Sequence, residues 1–72
     1  MRKYAIHYAT IYLSYNSSKY TETYTEALEI FESTKKEIQK TGIDEVFTDR
    51  IDDYYVRTSG GDIERIYIEE II

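Results

Sequence analysis

Four groups of residues in this 72-residue chain have types that chemistry could use: one histidine, a run of aspartates, a glycine pair and a row of tyrosines. His7 is the sole imidazole, and imidazole is the side chain whose ordinary pKa lies near neutrality, as a general base requires. It sits in an apolar run with Ala5, Ala9 and Ile11, with no nucleophile at an informative spacing, so a packed or edge histidine is the favoured reading. Asp49, Asp52 and Asp53 offer oxygen ligands of the kind hard cations take. A calcium loop needs a longer alternation of ligands, a turn glycine and a distal Glu, and these are missing. Surface acids near a strand irregularity explain the cluster better. Gly60-Gly61 could present backbone N–H groups to an anion, but a phosphate-binding loop is longer and ends in Lys followed by Ser or Thr. A hairpin turn accounts for both glycines.

The chain holds nine tyrosines, and Tyr4, Tyr8 and Tyr12 would align on one face of a strand. Sheets with such rows stack single-stranded bases. They also need a basic groove, whereas the nearby cations are Arg2, Lys3 and Lys19 and the net charge is −5. An acidic imitation of DNA would need denser charge than that. Tyrosine suits protein interfaces equally well, where the ring is buried and the hydroxyl finds a partner. Cysteine is absent, which excludes disulfides, thiolate chemistry and zinc sites of the usual Cys/His kind. No catalytic residue, cofactor or metal is assigned. The residues favour a non-enzymatic protein-interaction module; the alternative is a nucleic-acid-linked protein.

The elements that would carry these residues begin with Tyr4 to Tyr15, a stretch free of Asp, Glu, Lys and Arg and dominated by β-branched and aromatic types. As a central strand it places Tyr4, Ile6, Tyr8, Thr10 and Tyr12 on one face. Ala5, His7, Ala9, Ile11, Leu13 and Tyr15 fall on the other. Asn16-Ser17-Ser18 has turn composition, and residues 19–22 read as a loop of extended character. Thr23 followed by Glu26 forms a capping box. It opens a helix whose apolar stripe is Tyr24, Ala27, Ile30, Phe31, Thr34 and Ile38, with Leu28 and Lys35 at its edge. Gly42 suits the left-handed position that ends a helix. From Glu45 to Arg57 a strand pattern runs across Asp52-Asp53, which is expected to bend one long strand rather than divide it. The Gly60-Gly61 turn then predicts a hairpin in which Arg57 faces Glu64, Tyr55 faces Ile66 and Tyr54 faces Tyr67.

The expected fold is therefore α+β in the order β-α-β-β, one amphipathic helix on a three-stranded sheet, as a single domain over residues 1–72. So short a chain hides only about 60% of its unfolded surface, and oligomerisation is the obvious further support. The small Ala5 and Ala9 are expected to admit the helix, which leaves Tyr4, Ile6, Tyr8 and Tyr12, with Ile71 and Ile72, to form a homodimer interface. The basic start and the acidic carboxy-terminal segment should lie side by side, within a chain or between chains. The basic Met1-Arg2-Lys3 is followed by a run interrupted by His7, Thr10 and Ser14, unlike a signal peptide. No stretch approaches the ~20 apolar residues that span a bilayer. A soluble, cytoplasmic protein is expected.

The capped helix, the Gly-Gly hairpin, and stretches such as Tyr24-Thr-Glu-Ala-Leu-Glu-Ile-Phe and Thr58-Ser-Gly-Gly-Asp lie in a vocabulary without Cys, Trp or Pro. Together they resemble the small proteins of Bacillus prophages, in particular the YopT family of the SPβ prophage. The resemblance implies a homodimer with one helix and three strands per subunit. It implies no activity and no functional residues.

Overall fold

The computed structural model describes residues 3–11 and 15–71. Its order is β1 (Tyr4–Thr10), β2 (Tyr15–Thr21), α1 (Tyr24–Lys40), β3 (Ile43–Arg50), β4 (Asp53–Thr58) and β5 (Ile63–Glu70). The strands form one five-stranded antiparallel sheet in the spatial order β2-β1-β5-β4-β3, and α1 packs on one face. The architecture remains α+β, but the expected three-stranded sheet and β-α-β-β order are corrected to five strands in the order β-β-α-β-β-β, which also departs from what the resemblance implied.

Two segments account for the difference. Tyr15–Thr21 pairs with β1 without interruption from Tyr4↔Thr21 to Thr10↔Tyr15. Being an edge strand, it buries only Thr21, so its sequence carries almost no apolar signal. At Ile51-Asp52 the chain reverses, bringing Arg50 opposite Asp53, so the expected bent strand is two strands joined by a tight turn. The opening strand is also shorter than expected, since Ile11 already lies in a turn. Tyr12, Leu13 and Ser14 lie outside the described residues.

The helix is bounded as its sequence predicts. The Thr23 hydroxyl accepts from the Glu26 amide at 3.2 Å and lies 2.8 Å from the Glu26 carboxylate. Gly42 follows the C-cap Thr41 with φ of 86°. Phe31 and Ala27 are fully buried and Ile38 nearly so. Together with Ile6, Tyr54, Val56 and Ile66 they make the core, flanked by Tyr4, Tyr8, Ile30, Ile43 and Ile68. Each large apolar side chain so buried contributes roughly 1.5–3 kcal/mol. The Lys35 ammonium stands over the Tyr54 ring, 4.8 Å from Nζ to the centroid, and meets Asp49 at 3.0 Å.

The helix covers the even-numbered face of β1, the reverse of the expected assignment. The middle strand decides this. In β5 Ile66 and Ile68 lie on the even side opposite Tyr8 and Ile6, against Arg65 and Glu69 on the odd side, and the even side also buries one charged residue, Glu64, which Tyr8 partners. The β4–β5 hairpin is shifted by one residue from its expected register: Arg57 faces Ile63, Tyr55 faces Arg65 and Tyr54 faces Ile66. Its loop is longer than the two-residue turn expected. Gly61 N–H donates to Thr58 O at 2.9 Å and Thr58 N–H to Asp62 O at 2.8 Å, with only Gly61 of the pair at positive φ. That is a turn closed by a left-handed glycine rather than a type I′ turn. Among the described residues no helix is long and apolar enough to cross a membrane.

Candidate interaction surface

With α1 on one side of the sheet, the other side has no layer over it among the described residues. From β1 its side chains are Ala5, itself buried at 1% exposure, His7 and Ala9, from β5 Ile63, Arg65, Tyr67 and Glu69, and from β4 Asp53, Tyr55 and Arg57. The register shift in β3 adds Phe47, whose ring lies 4.9 Å from that of Tyr55. Cations are threaded between these rings. The Arg65 guanidinium stands 4.2 Å from the Tyr67 centroid and 5.9 Å from that of Tyr55, and Arg57 stands 5.7 Å from Phe47. Such stacking holds a guanidinium flat and desolvates one of its faces.

Each cation also has an acid. Asp53 grips Arg65 bidentately at 2.8 and 3.0 Å, and this bond holds the guanidinium above its already high pKa. Arg57 meets Glu45 at 3.0 Å. The face therefore brings aromatic area and fixed donors to a partner with little net charge. A hollow of about 250 Å³ opens in it where Ala9 is small, walled by Ile11, Ile63, Tyr55 and Arg65. Ile11 is 56% exposed and Phe47 41% exposed.

His7 lies on this face too. Its Nδ1 is 2.7 Å from the Ser18 hydroxyl and its Nε2 2.9 Å from Glu69, with the ring 5.0 Å from Tyr67. Hydroxyl, imidazole and carboxylate in a row have the connectivity of an acyl-transfer relay. Here they stand on an open sheet surface with the Glu69 side chain 60% exposed, where water rather than fixed donors would meet a developing oxyanion. The contacts cross-link β2, β1 and β5 and orient the ring. His7 is legible in the sequence but its partners are not, since Ser18 lies in a stretch of turn composition and Glu69 comes from the far end of the chain.

The remaining sequence-derived candidates disperse. Tyr4, Ile6 and Tyr8, expected at a dimer interface, lie on the helix side, and Ile6 is 2% exposed. They are spent on the core of their own chain. Ile71 is exposed, while Tyr12 and Ile72 lie outside the described residues. The aspartates separate, Asp49 to Lys35 and Asp53 to Arg65. Among the described residues no group of three or more His, Cys, Asp or Glu could hold a metal ion. The Gly60-Gly61 loop spends backbone groups on its own turn.

On the helix side one polar pair is enclosed. Glu64, 9% exposed, accepts a short hydrogen bond from the Tyr8 hydroxyl. Burial foremost, then this bond and the charges of Glu64 and Asp62, push the Tyr8 phenol well above its ordinary pKa, so it stays a neutral donor. Compared with known proteins, the chain matches no family model, and no curated protein and no solved structure is significantly similar to it.

Proposed function

We propose that this chain is a non-enzymatic protein-interaction module that associates with a second copy of itself through the helix-free face of its sheet. The observation that carries this reading is the uncovered row of Phe47, Tyr55 and Tyr67 interleaved with Arg57 and Arg65. Tyr and Arg are, with Trp, the residue types enriched at interface hot spots. Charge points to a like partner. Since Arg65 and Arg57 are matched by Asp53 and Glu45, two copies of this face meet without net repulsion, whereas a strongly basic partner or a polyanion gains little from it. Area agrees. The molecule measures 38 × 22 × 17 Å, and its broad side is of the order of the ~800 Å² that each member of a standard complex contributes.

Sedimentation equilibrium at micromolar concentration tests the reading. The expected mass is about twice the 8.6 kDa of one chain. Tyr55→Glu, which places a charge in the middle of the face, should give a folded species of single-chain mass with an unchanged far-ultraviolet spectrum. A wild-type chain that remains at 8.6 kDa up to tens of micromolar would overturn the proposal.

A further inference from the structure

Beside the carboxy-terminal half of α1, helix and sheet do not close completely. A hollow of about 320 Å³ remains between them, lined by Tyr8, Ser33, Glu37, Ile38, Thr41 and Glu64, among others. That volume is at the small end of ligand sites. Among the described residues no Lys, Arg or His lines it. Glu64 is nine-tenths buried and takes one hydrogen bond among the described residues, from Tyr8. A carboxylate can accept about four, and since no enclosed side-chain oxygen among the described residues lacks a partner, the acceptor positions Glu64 has left are ones that solvent reaches. Glu37 adds a second carboxylate at the rim, where it also meets Lys40 on the solvent side. The end of α1, at Thr41, brings the negative pole of the helix to the same place. Burial acts most in raising the Tyr8 phenol, and the smaller contributions of the Glu64 and Asp62 charges have the same sign of potential.

A hollow that is negative, rich in acceptors and walled on one side by Ile38 matches a compact cation on an apolar stem. The two lining carboxylates and the hydroxyls are hydrogen-bond acceptors for such a group. The described residues contain no cluster of acids and imidazoles able to hold a metal ion, which directs the choice to an organic cation. We propose that this hollow binds an alkylammonium group, with Glu64 and Glu37 as its counter-charges, Ser33 and Thr41 hydroxyls as further acceptors, and Ile38 against the stem. The site is independent of the helix-free face, on the opposite side of the sheet. Its ammonium could come from a small free amine or from a lysine side chain, the chemistry being the same.

The test is a titration of the full chain followed by amide chemical shifts at pH 7, with n-butylammonium in one arm, a short lysine-containing peptide in a second and n-butanol as the uncharged control. Saturable shifts confined to residues around Ser33, Thr41 and Glu64, absent with n-butanol, are expected. Tighter binding of the peptide assigns the ammonium to a protein side chain, tighter binding of butylammonium to a small molecule, and both support the site. Glu64→Gln should weaken binding at least tenfold. Glu37→Gln, at an exposed position, should weaken it several-fold and keeps the test valid where the buried substitution disturbs folding. Shifts equal in the n-butanol arm, shifts spread over the acidic surface without saturation, or affinities unchanged by Glu37→Gln would overturn it.

Discussion

Gly42 shows what a single residue decides here. Its φ of 86° is one that side chains rarely adopt, and a Cβ there would come 2.7 Å from Ser59 Oγ in the β4–β5 turn. The Gly42 carbonyl accepts from Ser59 N–H at 3.0 Å, so the end of the helix and the hairpin are fastened together at this point. Gly42→Ala is therefore expected to destabilise the fold by about 1 kcal/mol from conformation alone, with the contact adding to it. Gly60→Ala, in the same turn region, has an ordinary φ and nothing within 4 Å, and should change the denaturation midpoint little. Equal effects of the two substitutions in urea unfolding would contradict this account. Gly42 was legible in the sequence because its role is local. The partners of His7 were not, because Ser18 and Glu69 come to it from strands whose neighbours only the full topology defines.

Among the elements, α1 was readable to the residue, since a capping box, a 3.6-residue apolar period and a terminal glycine all speak within one segment. The strands were less so, each for a reason of position. β2 is paired on one side only and offers polar side chains to solvent, so nothing in Asn16-Ser17-Ser18-Lys19 distinguishes it from a loop. β3, the other edge, keeps Val46 52% exposed and bears two register shifts, which blur the alternation of its sequence. β5 reads clearly because it is the middle strand. Hydrogen exchange should rank the elements accordingly, with the amides of β5, β1 and α1 slowest and those of β2 and β3 substantially faster. Residues 15–21 should nevertheless be protected at alternate positions, as for a one-sided strand. Uniformly unprotected amides there would return the segment to a loop and the sheet to four strands.

For the molecule as a whole, the two faces of the sheet are distinct in kind, and substitutions tell them apart. Ile6→Lys inserts a charge at a position 2% exposed beneath the helix and should unfold the chain outright, since burying an unpaired ammonium costs several kcal/mol against a total stability of about 5–15 kcal/mol. A soluble, folded Ile6→Lys chain would show that the helix does not seal this face. Substitution at Tyr55 should instead change association and leave the fold standing. The covered face was only partly legible through β5: Ile66 and Ile68 share the even side, but each side of the strand carries two charged residues, and Glu64 is buried with the isoleucines. The expectation that basic start and acidic end lie side by side is met within one chain, where Ile71 N–H donates to Lys3 O and Tyr4 stands opposite Glu70.

That last pairing has a bearing on how the chain is made. β1 and β5, neighbours at the heart of the sheet, come from opposite ends of the described sequence. On the ribosome, β1, β2 and α1 emerge with no partner along the inner edge of β1 and with Phe31 and Ile38 still lacking Val56 and Ile66. The β3–β4 hairpin, when it follows, has nothing to join it to them. The last strand is the keystone, lying between the β1–β2 and β3–β4 hairpins of the finished sheet, and joining residues so distant makes for slow closure. Folding is thus deferred until synthesis has passed residue 70, and a nascent chain halted earlier has two open sheet edges to guard where the finished sheet has β5.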